Sequence, residues 1–145
     1  MNMSASARLD QSFVRKWERF CVGREDIAVT LGITAVSGDS KSVVLRLALR
    51  PAISQPAGMF SAASLFGLAD IAGTFLAMEQ MLPDQFPLAV QSNVHLLGNV
   101  RSGTAEAKAR LIKAGKTLIV TDTTVTSLDE GRLLASVQTT YLNPS

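Results

Sequence analysis

Charge is nearly absent from one stretch of this chain. Between Ala57 and Met78 only Asp70 can carry one. Cysteine is nearly absent throughout. Cys21 stands alone, which excludes an intrachain disulfide and fits a reducing, cytoplasmic setting. It also excludes a cysteine-based zinc cage, and with His95 the only histidine no metal site is expected. Aromatic residues make up 6% of the chain, and Lys and Arg form no cluster behind the net charge of +2. A nucleic-acid partner is therefore not expected. The first eight residues lack the apolar run of a secretory signal.

What is present is apolar. Apolar residues make up 47% of the 145 positions and charged residues 18%, the composition of one globular domain spanning 1–145. Leu9, Phe13, Trp17 and Phe20 recur at helical spacing, so 9–20 reads as an amphipathic helix that Gly23 would end. This helix belongs to an N-terminal extension, 1–24. Ile27 to Val36 and Lys41 to Arg50 read as two strands, joined as a hairpin through Ser37-Gly-Asp-Ser40. Pro51 and Pro56 bracket a loop, and the long apolar helix follows. Pro83 and Pro87 close that region, and four strand-like runs come after it: 88–98, 104–113, 117–127 and 132–142.

A helix apolar nearly all round needs cover on most sides. A strongly curved antiparallel sheet wrapped around it provides that cover, and the free sheet edges favour a second copy. The fold class is therefore α+β with one long central helix. The run 57–78 is about long enough to span a bilayer at ~20 residues. Its Ala, Gly and Ser content and its central aspartate point to a buried core helix instead, so no membrane partner is expected.

Asp70 is the residue that most needs explaining. A carboxylate in an apolar setting loses hydration worth several kcal/mol or more. Burial raises its pKa and makes it a better base. His95 lies in the alternating run 88–96, where Leu88, Val90, Ser92, Val94 and Leu96 share one face. Ala89, Gln91, Asn93 and His95 share the other, polar one. Trp17 and the first helix's Phe residues read as packing, and Cys21 as a small buried hydrophobe.

The order of elements, together with Leu65-Phe-Gly-Leu-Ala-Asp70, Leu111-Ile-Lys-Ala-Gly-Lys-Thr-Leu118 and Leu96-Leu-Gly-Asn-Val-Arg-Ser-Gly103, resembles the hotdog fold. More closely, it is similar to the phenylacetate-degradation-type (PaaI-like) acyl-CoA thioesterases of the 4-hydroxybenzoyl-CoA thioesterase superfamily. The resemblance covers about 25–142. It implies a thioesterase that hydrolyses an acyl-CoA to free acid and coenzyme A, with Asp70 as general base or nucleophile. Backbone N–H groups at the start of the central helix would receive the developing oxyanion.

The match is looser ahead of Asp70. Ser61-Ala62-Ala63 stands where the family has His-Gly-Gly, so Ala62 takes the place of the oxyanion-donor glycine. Gln55 stands where the family has asparagine, and Ala89 where it often has Ser or Thr. The resemblance assigns coenzyme A contacts to Arg101, Lys113, Ala114, Gly115, Lys116, Thr117 and Leu118. It implies no cofactor apart from the coenzyme A of the substrate. It also implies a homo-oligomer, a dimer or a dimer of dimers. The altered helix start motivates a second reading, a hotdog protein that binds an acyl-CoA or small acyl ligand without turnover. A hydratase reading lacks the histidine at the helix start, because Ser61 is there.

Overall fold

The computed structural model describes residues 8–21 and 25–144. Six strands form one antiparallel sheet: β1 (Thr34–Gly38), β2 (Ser42–Ala48), β3 (Leu88–Leu96), β4 (Thr104–Ala114), β5 (Leu118–Ser127) and β6 (Leu133–Leu142). Their order is β1-β2-β4-β5-β6-β3, so β1 and β3 are the edges. The helices are α1 (Gln11–Cys21), α2 (Ile27–Leu31) and α3 (Ala62–Met78), with a single 3-10 turn at Pro51–Ile53. This is the expected hotdog architecture. Gly23 lies outside the described residues.

The sheet holds α3 by pairing large residues with small ones. Val43, Leu45 and Leu47 of β2 stand opposite Ala109, Ala107 and Ala105 of β4, and all six are buried. The alanine row lets the helix approach closely, and the larger β2 side chains fill the space beside it. Leu65, Leu68, Ala69, Ala72 and Leu76 of α3 are almost fully buried. Around Phe75, α3 is covered by α1, and α2 packs against it as well. Trp17, Phe20 and Phe13 set their rings 4.6, 5.5 and 6.4 Å from that of Phe75. Lys16 of α1 pairs with Glu79 just past the end of α3.

Two local expectations are corrected. Ile27 to Val36 is not one strand, because its first five residues form α2. The Asp26 carboxylate caps that turn, accepting from the Val29 N–H at 3.1 Å. Gly32, at φ 85°, ends it in the left-handed conformation. The strand begins only at Thr34. The strict alternation expected for 88–96 also fails. Ala89 faces Tyr141 and Gln91 faces Thr140, so Val90 is an extra residue in a β-bulge. The bulge puts Ala89 on the same face as Ser92, Val94 and Leu96, and turns Leu88 to the other. Ahead of α3, residues 57–61 are loop.

Candidate functional site

Asp70 lies halfway along α3, half-buried, at the wall of a pocket of about 530 Å³. Ile71, Thr74 and Phe75 of α3 form one side of the pocket. Phe20, Cys21, Asp26, Ile27 and Ala28 close a second side, and the approach to β3, with Phe86 and Ala89, forms the third. Among the described residues nothing donates a hydrogen bond to the Asp70 carboxylate, and burial pushes its pKa above the usual carboxylate value. A carboxylate so placed is available as a base or a nucleophile. Ala89, at the position where the resemblance expects Ser or Thr, does share this pocket.

Beneath Asp70 lies a polar cluster that the sequence reading did not identify. The Tyr141 hydroxyl donates to the Asp70 carbonyl oxygen at 3.3 Å and lies 3.3 Å from Thr74 Oγ1. Tyr141 is fully buried, and its pKa is pushed up to about 12, mainly by that burial. The usable signal was Tyr141 itself, the only tyrosine in the chain, on the inward face of the last strand. Gly73 makes room for the cluster. A Cβ there would sit 2.7 Å from the Tyr141 hydroxyl and 2.8 Å from Thr121 Oγ1.

The start of α3 is a separate place. Ser61 is the N-cap, its Oγ accepting from the Ser64 N–H at 3.1 Å. Ser64 Oγ in turn donates to the Ile53 carbonyl at 2.8 Å, so this serine pair is committed to the cap. Ala62 and Ala63 are exposed in the first turn. Among the described residues neither of their N–H groups meets an acceptor. Two free donors at the positive end of a helix suit a developing oxyanion. Gln55 opens the preceding turn. Its side-chain oxygen accepts from the Ala57 N–H, and its carbonyl accepts from the Gly58 N–H at 2.9 Å. Arg101 reaches the same turn, donating to the Ala57 carbonyl at 2.6 Å.

None of Gln55, Ser61, Ala62 or Ala63 lines the pocket that holds Asp70. Ala62 precedes Asp70 by eight residues, about 12 Å along a helix axis. Arg101 and the 113–118 hairpin are also apart, near opposite ends of β4, an 11-residue strand that spans about 33 Å between its end residues. Lys113, Ala114, Lys116 and Thr117 are exposed in that hairpin, and Gly115 and Leu118 close it through a 2.8 Å backbone bond. His95 is exposed on β3.

Among the described residues no group of His, Cys, Asp and Glu could hold a metal ion. None of the described helices is long and apolar enough to cross a membrane.

Comparison with known proteins bears on this arrangement. A search of curated proteins found no match. Among solved structures, a Haemophilus influenzae thioesterase matches with TM-score 0.82 and 18% identity, over 89% of this chain and 88% of its own. A mutant thioesterase of Pseudomonas aeruginosa, with a glutamine replaced by alanine, matches at 0.79 and 22%, over 92% of each chain. A Staphylococcus aureus protein solved with a glutamate replaced by alanine matches at 0.77 and 19%, over 81% of this chain and 97% of its own. A second structure of that protein carries a glutamine replacement, and there it is called a thioesterase enzyme. The family model of the thioesterase superfamily matches residues 57–134, more than half of the chain and all of α3, β3, β4 and β5. The chain therefore belongs to the hotdog-fold thioesterase superfamily.

Proposed function

We propose that this protein is an acyl-CoA thioesterase of the phenylacetate-degradation type, with Asp70 as the reactive carboxylate. The observation that carries the reading is Asp70 itself, without a partner among the described residues, in a largely apolar pocket, with its pKa raised by burial. As a base, Asp70 takes a proton from water as the water oxygen attacks the thioester carbonyl. The tetrahedral oxyanion then collapses, breaking the C–S bond and expelling coenzyme A as the thiolate, which takes up the proton. As a nucleophile, Asp70 bonds to the carbonyl carbon and expels the thiolate, and water then cleaves the resulting anhydride. Both routes place negative charge on the carbonyl oxygen. The Ala62 and Ala63 N–H groups are the donors suited to it.

One thioester carbonyl cannot touch both ends of a 12 Å separation. The site is therefore completed by a second copy of the chain. Pairing two copies across β3 lays their α3 helices antiparallel, so that each Asp70 faces the other chain's helix start. Gln55, beside that start, orients the water or the thioester. The exposed apolar residues of β3, Val90, Val94 and Leu96 among them, support such pairing. The S. aureus protein adds support through spacing. Its replaced glutamine and glutamate are fifteen positions apart, and so are Gln55 and Asp70. Lys113 and Lys116 would meet the phosphates of coenzyme A at the rim, with Ala114, Gly115, Thr117 and Leu118 adding backbone and hydroxyl contacts, and Arg101, near the other end of β4, would contribute only from the second copy.

Thiol release over a panel of acyl-CoAs, from short aliphatic to aromatic, tests the reading on wild type and Asp70→Asn. Turnover by the wild type and its loss in the variant are expected. Unchanged hydrolysis in the variant removes Asp70 from the mechanism. Tight binding of a nonhydrolysable acyl-CoA with no thiol release from any substrate would make the chain a binding protein.

A further inference from the structure

We propose that the pocket beside Asp70 admits an uncharged, apolar acyl group and rejects acyl groups ending in a second carboxylate, with Phe20 setting its depth. The inference rests on the thioesterase reading above and narrows it to a substrate class.

The walls are mostly aliphatic and aromatic, and Asp26 and Asp70 are the only acidic side chains among the lining residues. Among the described residues no Lys, Arg or His lines the pocket. A carboxylate at the far end of an acyl chain would leave water without gaining a cation, and would meet the Asp26 carboxylate, a group of its own sign. Asp26 is held in place, because its Oδ1 accepts from the Val29 N–H at the start of α2. It therefore cannot swing away from an entering charge without uncapping that helix.

The depth of the pocket comes from outside the segment that the family shares. Phe20, Cys21 and Asp26 all precede residue 57, where the superfamily match begins. Phe20 is wedged between α3 and the approach to β3. Its ring stacks on Phe86, with centroids 6.3 Å apart and planes 11° apart, and meets Phe75 edge-on at 5.5 Å. A side chain fixed from two sides makes a firm end wall, so chain length is read where α1 packs.

The test compares acyl groups of one length that differ only in a terminal carboxylate. Hexanoyl-CoA should exceed adipoyl-CoA in kcat/KM by about tenfold or more. Asp26→Asn keeps the helix cap and removes one repelling charge, so this ratio should shrink by at least about threefold. Phe20→Ala, or the milder Phe20→Leu, should move the preference toward longer chains such as decanoyl. Equal use of hexanoyl and adipoyl groups would overturn the proposal, as would a ratio untouched by Asp26→Asn. If the wild type hydrolyses no thioester, the thioesterase reading fails and the pocket is judged by binding. Calorimetry with the S-hexyl and S-(5-carboxypentyl) thioethers of coenzyme A then decides. A preference of about tenfold for the hexyl thioether supports the proposal, and equal affinities overturn it.

Discussion

Asn99 grips the backbone of Phe60 from both sides. Its Oδ1 accepts from the Phe60 N–H at 3.1 Å, and its Nδ2 donates to the Phe60 carbonyl at 2.8 Å. Oδ1 also accepts from the Val100 N–H at 2.9 Å, and the Asn99 carbonyl accepts from Arg132 Nη1 at 3.0 Å. Phe60 immediately precedes the N-cap of α3, so the loop before β4 sets where the Ala62 and Ala63 N–H groups point.

On the proposed mechanism Asn99 is a positioning residue. Asn99→Ala should lower kcat by about tenfold or more, because oxyanion donors act only at the right distance. KM should change little. Asn99→Asp keeps the acceptors and loses the donor, so it should fall between wild type and Ala. Steady-state kinetics beside a thermal melt separate the two roles. If kcat follows thermal stability across the three proteins, Asn99 is only structural.

Gly73→Ala should destabilise the fold by about 1–3 kcal/mol, the usual cost of overpacking. The new methyl would press on the Tyr141 hydroxyl and on Thr121 Oγ1. Tyr141→Phe removes one of those atoms. In the double variant the cost of the added methyl should therefore be smaller than in the wild-type background, as a denaturant-melt cycle would show. Additive effects would mean that the hydroxyl does not limit the approach of α3.

Most of the fold was legible because strands such as β2 alternate and the turns carry Gly or Asp. Leu45 and Leu47 announce the buried face of β2, and Gly115 and Gly131 mark two of the hairpin turns. Ile27 to Val36 misled because five β-compatible residues, too few to show a helical period, are decided by their caps, Asp26 and Gly32. The bulge at Val90 was invisible for a related reason. Alternation counts residues, and a bulge adds one without a compositional mark. At the site, Asp70 was legible from its isolation. The Phe20 wall and the Asn99 clasp were not, since both join residues distant in sequence through contacts that no local pattern encodes.

Asp70 should couple activity and stability to pH in opposite directions. Burial raises its folded pKa above the usual carboxylate value. On the proposed mechanism the reactive form is the anion, so kcat/KM should rise as pH rises through that raised pKa. Stability runs the other way. Asp70 is fully tolerated below its unfolded pKa, and its contribution is lost as pH rises through the folded pKa, because the anion must stay partly desolvated. Asp70→Asn should therefore melt higher than wild type at pH 7 to 8, with the gap closing toward pH 4. Turnover should fall by about a hundredfold or more. A variant that melts lower at neutral pH would show that the carboxylate is satisfied by a partner.

The edge strand β3 makes the last prediction. Eight of its nine residues are exposed, and Val94 and Leu96, exposed among them, stand on its inward face. A bare apolar edge favours pairing with another chain. The wild type should sediment as a dimer or a dimer of dimers. Val94→Lys places a charge in the middle of the pairing surface and should shift the protein toward monomer. Because one chain holds its Asp70 about 12 Å from its own proposed oxyanion donors, activity should fall with the dimer fraction. Raising the protein concentration should restore both together. Analytical ultracentrifugation and thiol release, measured on the same dilution series, check this. A fully active monomer would show that one chain completes the site alone.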